Sequence, residues 1–589
     1  MRLQISKSKN ATSYYVIKSY RENGHNTSKV VEKLGTREQI MERTGCEDPE
    51  AWARAYIEEL NKKEKFEQKE VLLHLKPSAR LKSGEQKSFN GGYLFLQKIY
   101  HELGLHKICK EISRRHLFEY DLNSILSRLL YGRILFPSSK LSTFQQSQKL
   151  LEQPAFELHD VYRALSVLSQ ESDFIQSELY KNSLMISKRK TGVIFYDCTN
   201  FFFETEQAYE GALPQYGVSK EHRPNPIVQM GLFMDADGIP LAFCINPGNT
   251  NENLTLAPLE KKLLSDFHLS KFVVCTDAGL ASKENRIFNN HGNRSFITTQ
   301  SVKQLSASRK QWALSKNGWH VVGRVGTYDI SELDDDERAQ DFKNVIFYKE
   351  QWIKDKVKIK SSDGSWHYEE LEQRLIVTYS VQYRDYQRSI RQAQIERAQK
   401  TISSDADKMK KKSANDYRRF INTEACTTEG EIAEHRIYSL NEDLIQKEAV
   451  YDGFYAVCTN LEDDVSAIVK VNHNRWEIEE CFRIMKSEFL ARPVYLSRDD
   501  RIRAHFTTCF LSLILYRYLE KRLQNRYSCT EIIECLRDMN FLRIRGTGFI
   551  PCYTRSALTD DLHKAFGFET DHEVITTDQM KKIYKISKK

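Results

Sequence analysis

Between residues 191 and 300 the chain alternates short, almost wholly apolar runs with turn and helix signals, and this pattern limits its folds more than any other feature. Val193-Ile194-Phe195-Tyr196, Ile227 to Met234 and Leu241 to Ile245 read as three strands. The last two are joined at Asp237-Gly238, a pair suited to a tight hairpin because glycine accepts positive φ at no steric cost. Glu252 to Leu264 then reads as a helix, Phe272-Val273-Val274-Cys275 as a fourth strand, Ser282 to Phe288 as a helix and Phe296-Ile297-Thr298-Thr299 as a fifth strand. Unbroken apolar runs of this length predict strands covered on both faces.

Three strands linked by hairpins, then helix, strand, helix, strand, is the order of a ribonuclease H-like α/β core. The predicted fold class is therefore α/β, with a mixed-sheet catalytic core at 188–302 that resumes at 465–525. Residues 303–464 predict a mainly β insertion, with strands at Val345 to Tyr348, Arg374 to Tyr379 and Gly453 to Cys458 and a long basic helix from about Asp385 to Ile402. Helical segments fill 91–187, a partly basic block that suits DNA binding and equally a packing domain. Residues 1–90 predict a hairpin, Ser13 to Ile17 returning through Ser28 to Leu34 about Glu22-Asn23-Gly24, then helices and a polar linker. The region 526–589 reads as helical and irregular. A helix from Ile468 to Phe489 and another from Ile502 to Leu523 complete the reading.

The balance of 88 basic to 80 acidic residues, +8 over 589 residues, fits a nucleic-acid partner without requiring one. The charge is unevenly spread. Residues 1–34 hold seven Lys or Arg against Glu22 and Glu32, and Lys408, Lys410, Lys411 and Lys412 form a run. Twelve cysteines without a CxxC pair predict reduced thiols rather than a zinc site. Met1 to Lys9 lacks the apolar core of a signal peptide, and the longest apolar run, Cys509 to Tyr516, is too short to span a bilayer. The expectation is a cytoplasmic protein with no membrane partner.

Three carboxylates stand out. Asp197 and Asp277 each follow an apolar strand, at the end where side chains converge on a site. Hard divalent cations take carboxylate oxygens, so two such groups on neighbouring strands form the start of a metal site. The third lies in Asn474-Arg475-Trp476-Glu477-Ile478-Glu479-Glu480-Cys481-Phe482-Arg483-Ile484-Met485-Lys486. On a continuous helix Arg475, Glu479, Phe482 and Lys486 share one face. An exposed ladder of ion pairs is the plain reading of that face. A carboxylate flanked by cations also suits a place where metal and phosphate meet. Glu480 points about 100° away from Glu479. Trp476 and His505 are both expected to be structural, the tryptophan in the core and the histidine satisfied by its neighbours.

At this point the chain resembles the DDE transposases of bacterial insertion sequences, in the insertion-sequence-four group with long insertions. Arg475, Glu479 and Lys486 match the last three members of that group's Tyr-x2-Arg-x3-Glu-x6-Lys signature, while Asn472 stands at the tyrosine position. Phe195-Tyr196-Asp197-Cys198-Thr199 and Cys275-Thr276-Asp277-Ala278-Gly279 resemble its two aspartate strands. Tyr451-Asp452-Gly453-Phe454 resembles the end of its insertion, and Arg492-Pro493-Val494-Tyr495 the segment after its catalytic helix. The resemblance implies Asp197, Asp277 and Glu479 as catalytic ligands of two Mg²⁺ ions, with Mn²⁺ as a substitute, and Arg475 and Lys486 as contacts to DNA phosphates. It implies cut-and-paste transposition by hydrolysis and strand transfer, a hairpin intermediate, and a homodimer paired on terminal inverted repeats. A metal-dependent nuclease on the same fold is the alternative.

Overall fold

In the computed structural model of the chain, residues 1–8, 11–22, 25–67, 78, 80, 82–334, 336–360, 363–404, 416–426 and 432–589 are described. The lysine run at 408–412 and the turn at Asn23-Gly24 lie outside them. The chain forms two units, 1–85 with 545–547, and 86–544 with 548–589.

The first unit is a three-stranded antiparallel sheet, β1 (Arg2–Lys7), β2 (Thr12–Glu22) and β3 (His25–Thr36), followed by α1 (Arg37–Thr44) and α2 (Pro49–Glu67). The expected hairpin is there. β1 is an added strand, disguised by its polar alternation. Tyr14, Val16 and Leu34 on one sheet face pack with Ile40, Ala53 and Ile57 of the helices. Thr36 caps α1 in a reciprocal box with Gln39.

The second unit opens with β4 (Ser88–Asn90) and six helices: α3 (Tyr93–Glu102), α4 (Leu105–His116), α5 (Leu122–Leu135), α6 (Lys140–Ser147), α7 (Leu158–Gln170) and α8 (Ser172–Ile186). The strands expected between 191 and 300 follow as β5 (Val193–Phe202), β6 (Ile227–Asp235), β7 (Pro240–Pro247), β8 (Phe272–Thr276) and β9 (Arg294–Gln300). α9 (Leu256–Asp266) and α10 (Lys283–Phe288) fill the crossovers before and after β8. β8 pairs in parallel with β5 and β9, and the other neighbours are antiparallel.

Most strands of the segment 303–464 join the core sheet, and only one small pair forms a two-stranded sheet of its own. Past α11 (Ala307–Leu314), β10 (His320–Val321) and α12 (Asp336–Asp341), two fifteen-residue strands, β11 (Ile346–Lys360) and β12 (Trp366–Ser380), form a long hairpin. The helix α13 (Val381–Ser404), the small pair β13 (Ile421–Cys426) and β14 (Ile432–Leu440), and α14 (Glu442–Ala449) precede β15 (Phe454–Thr459). β15 hydrogen-bonds to β12 on one side and β9 on the other. One nine-stranded sheet results, in the order β10-β11-β12-β15-β9-β8-β5-β6-β7. The physical reason is that β9 would otherwise present a bare edge.

The remaining helices are α15 (Val465–His473), α16 (Trp476–Arg483), α17 (Asp499–Arg522), α18 (Cys529–Asp538), α19 (Ala557–Phe566) and α20 (Thr577–Ser587). The C-terminal region is more than helix: β16 (Asn540–Ile544), β17 (Gly548–Pro551) and β18 (Ile575–Thr576) build a four-stranded sheet with β4. Residues 91–187 are likewise no isolated block, since α3 to α8 share one buried cluster with α17 and the C-terminal helices. Among the described residues no helix is long and apolar enough to cross a membrane. Among the described side chains eleven cysteines are free thiols, and Cys552 alone of these is exposed.

Both faces of the central strands are covered, which explains their unbroken apolar runs. Phe195, Met230, Leu232 and Cys275 face the large helical cluster. Ile194, Tyr196, Phe233 and Val274 face a second cluster with Leu259 and Leu263 of α9. The β6–β7 hairpin turns at Gly238, with φ +74°, where an added Cβ would lie 2.3 Å from the Arg517 guanidinium. That buried guanidinium donates from Nε to the Gly238 carbonyl at 2.9 Å and ion-pairs with Glu477 of α16 and Glu520 of α17. One cation therefore ties a hairpin and two helices together. Arg517→Ala, which strands two carboxylates, is expected to destabilise the large unit by about 3–5 kcal/mol. Urea unfolding followed by circular dichroism measures it, and an unchanged midpoint would refute the assigned role.

Candidate active site

The parallel register of β5 and β8 sets the site. Val193, Ile194 and Phe195 lie beside Val273, Val274 and Cys275. Continued two residues further, that register puts Asp197 level with Asp277. Both then fall on the parity of Phe195 and Cys275, whose side chains face the cluster containing α15 and α16. Asp277 comes immediately after β8, as expected. Asp197 does not end its strand: β5 runs on to Phe202, paired with β6 along its whole length. What ends near Asp197 is the parallel neighbour, and that opens the space.

Asp197 is buried, accepting a hydrogen bond from the Cys198 amide at 2.7 Å. Burial pushes its carboxyl up to about 7 and Asp277 adds to the rise, against Lys220, the Cys198 amide and Arg475. Asp277 is one-third exposed, and its Oδ1 accepts from the Leu280 amide at 3.0 Å. Glu479 is 61% exposed. Arg475 joins the two, with one terminal nitrogen 3.9 Å from Asp277 and the other 3.7 Å from Glu479. Its buried Nε has no hydrogen-bond partner. Glu480 is turned elsewhere, bonded to Arg483 at 2.5 and 2.7 Å.

The expected single helix from Ile468 to Phe489 is broken. α15 ends at His473, Asn474 and Arg475 form the junction, and a π-helical turn at Ile484–Glu488 follows α16. The π turn closes with the Phe489 amide donating to the Ile484 carbonyl at 3.0 Å. Lys486 on that turn still reaches the sheet, donating to Thr199 Oγ1 at 2.6 Å and lying 3.6 Å from Glu221. Burial and Lys220 lower its ammonium to about 8, although Asp197 opposes them.

Sequence reasoning missed Lys220, Glu221 and Arg492. Lys220 bonds the Cys198 carbonyl and pairs with Glu252 at 3.2 Å, and Glu221 pairs with Arg492. The available signal was the charged run Lys220-Glu221-His222-Arg223 between two buried strands. Trp476 is not core. It is 58% exposed and lines a cleft of about 620 Å³ with Arg475, Glu479, Tyr383, Tyr386 and Tyr455, because the break before α16 rotates it outward. Asn472, at the tyrosine position of the signature, is buried and donates to Tyr455 Oη at 2.6 Å. His505 is buried with Nε2 3.2 Å from the Ala491 carbonyl, a structural histidine away from the carboxylates.

The donor set fits hard divalent cations. It is carboxylate only, and burial beside Asp277 leaves the charge of Asp197 costly until a cation meets it. Asp197, Asp277 and Glu479 do not bring an oxygen apiece within 4.8 Å of one another. Among the described residues that closeness occurs at Asp560, His563 and Asp571, where Arg555 already pairs with both carboxylates at 2.7 and 3.3 Å. A wider spacing suits a site shared by two ions.

Residues 189–515, more than half of the chain, match the family model described as Transposase DDE domain. The chain belongs to the DDE transposase family, and it is an enzyme class that acts on DNA. A solved structure similar to it is a cryo-EM piggyBac transposase synaptic complex with hairpin DNA, at 7% identity over 84% of each chain and a TM-score of 0.34. No curated protein matches it. In chelating buffer Asp197→Asn is expected to melt above the wild type, because it removes a buried charge. Mg²⁺ or Mn²⁺ is expected to raise the wild-type midpoint and leave that variant unmoved, as read by differential scanning fluorimetry. Equal responses would refute the site.

Proposed function

We propose that this protein is a cut-and-paste transposase of the insertion-sequence-four group, of bacterial origin, acting in the cytoplasm on the terminal inverted repeats of its own element. The observation that carries the reading is the guanidinium of Arg475 held between Asp277 and Glu479, its terminal nitrogens 3.9 and 3.7 Å from their oxygens and so hydrogen-bonded to neither. A DNA phosphate is an acceptor of the right charge for it. The strand order β7-β6-β5-β8-β9, with β5, β8 and β9 parallel, supports a ribonuclease H-like core. We assign 188–302 and 465–525 to that core.

Asp197, Asp277 and Glu479 would hold two Mg²⁺ ions, replaceable by Mn²⁺. These would supply Lewis-acid polarisation of the phosphoryl oxygen and a more acidic attacking water. Arg475 and Lys486 hold the phosphates on either side of the cut. Lys486 is anchored by Thr199, two residues beyond Asp197, so the DNA backbone is indexed to the strand that carries the buried carboxylate. The apolar packing behind β5 excludes water from the rear of the site.

In the first step water attacks the phosphodiester at the element end, the bond from phosphorus to the 3′ oxygen breaks, and a 3′-hydroxyl is freed. In the second that hydroxyl attacks a target phosphodiester, and a target 3′ oxygen leaves. A homodimer would pair the two ends. Between the two steps the freed 3′-hydroxyl would attack the opposite strand, closing a hairpin on the transposon end as the flanking 3′ oxygen leaves, and a second water would open the hairpin and restore the 3′-hydroxyl.

Asp197→Asn, Asp277→Asn and Glu479→Gln are each expected to lower cleavage of an inverted-repeat duplex by more than about 100-fold, the upper end for losing a mere supporting partner of a ligand. DNA binding is expected to persist, and Glu480→Gln to cleave like the wild type. A gel assay with paired ends and a plasmid target reads cleavage and strand transfer separately. Wild-type cleavage by Asp277→Asn would overturn the ligand assignment. Cleavage without any joined product would leave a nuclease.

A further inference from the structure

Among the described residues the N-terminal sheet packs one face on α1 and α2, and its other face carries exposed polar side chains around a buried Ile17. Cross-strand registers sort the side chains. Leu3, Val16 and Glu32 share the helix-packed face, where Glu32 accepts from Tyr56 Oη at 3.1 Å. Lys18 is on that face too, paired with Glu64 of α2. The opposite face is set by the pairs Arg2 with Ile17, Gln4 with Tyr15, Tyr15 with Lys33, and Ser19 with Ser28. Arg2, Gln4, Ser19, Ser28 and Lys33 are exposed, and Val30 beside them is half exposed. No register position on that face holds an aspartate or glutamate. Among the described residues Arg2 and Lys33 make no ion pair, although acids on the covered face are paired.

The two faces of one small sheet thus differ in chemistry. The covered face holds Tyr14, Val16 and Leu34 together with Glu32. The open one carries Arg2, Lys33, an amide and hydroxyls around Tyr15, Val30 and a buried Ile17. Such a face is complementary to a polyanion that also offers hydrogen-bonding edges. Three strands about 4.8 Å apart span about 10 Å, against about 12 Å for the major groove of B-DNA.

We infer that this open sheet face docks in the major groove of duplex DNA and is a reading head of the protein. Arg2 and Gln4, on the edge strand β1, are the base readers: a guanidinium matches the O6 and N7 of guanine, and a carboxamide the N6 and N7 of adenine. Lys33 and the serines grip the phosphates along the groove walls. The inference rests on the reading of the chain as a protein that acts on DNA, and it moves sequence recognition onto a sheet, away from the helical block 91–187.

The test uses the full chain with any tag at the C-terminus, so that Arg2 stays accessible. Fluorescein-labelled duplexes from the two flanks of its own gene, and a scrambled duplex of the same length, are titrated by anisotropy across a salt series. Arg2→Ala and Gln4→Ala are each expected to weaken flank binding between about five- and 150-fold and to shrink the preference over the scrambled duplex. Lys33→Ala is expected to weaken both duplexes alike and to lower the salt slope by about one. Lys63→Ala, on α2 behind the sheet, is expected to match the wild type. Circular dichroism with unchanged melting shows that the variants fold. Flank binding by Arg2→Ala, Gln4→Ala and Lys33→Ala at wild-type affinity would overturn the inference and leave the proposed function standing. Equal competition by an RNA duplex, whose major groove is too narrow for a sheet, would overturn it too. A wild-type chain that binds neither flank would defeat both.

Discussion

The parallel pairing of β5 with β8 is the constraint on which the rest depends. It sets two aspartates eighty residues apart at one level and on one side of a sheet. Register in a sheet can slip only by turning side chains to the other face, and here both faces are packed. Phe195 and Cys275 belong to the helical cluster, and Ile194 and Val274 to the cluster over α9. A slip of one residue would exchange these sets and bury the aspartates behind the sheet. Apolar packing therefore does for the carboxylates what no local interaction of theirs could do, because they repel.

The third carboxylate depends on a different anchor. Glu479 stands on a helix of eight residues whose neighbours on the chain are a break and a π turn. Such a helix has little stability of its own. It is held by Ile478, Cys481 and Phe482 in the core and by Glu477 on the buried Arg517, which also grips the β6–β7 turn and α17. The site is thus over-determined by its surroundings and left electrostatically costly at its centre. Stability given up locally, where like charges gather, is the common pattern of functional sites.

Much of this was legible because burial writes itself into strand composition. All five strands between 191 and 300 were readable as runs with turn signals, and so was the Gly238 hairpin. The long hairpin β11–β12 was half readable. Its ends at Val345 to Tyr348 and Arg374 to Tyr379 were read, but its outer parts were not: in Lys354 to Lys360 the period of Val357 and Ile359 is set among lysines, and Trp366 to Glu370 is largely exposed. β1 was invisible for the same reason. The break before α16 was hidden because Asn474 and Arg475 are ordinary helix residues. Only the packing of α15 against the sheet and of α16 against β5 demands the turn, and Trp476 was misread as core in consequence.

By itself the sequence determined the succession of strands along 191–300 and the residue types of the candidate site, because each follows from local periodicity or local chemistry. Only the tertiary structure decided that β10, β11, β12 and β15 would widen one sheet rather than build another. It alone brought Lys220, Glu221 and Arg492 beside Lys486, and set Arg475 between two carboxylates 202 residues apart. The physical reason is the same in each case. An open sheet edge, a buried cation and a repelling pair of acids are satisfied by whatever the folded chain brings near, and sequence distance carries no record of that.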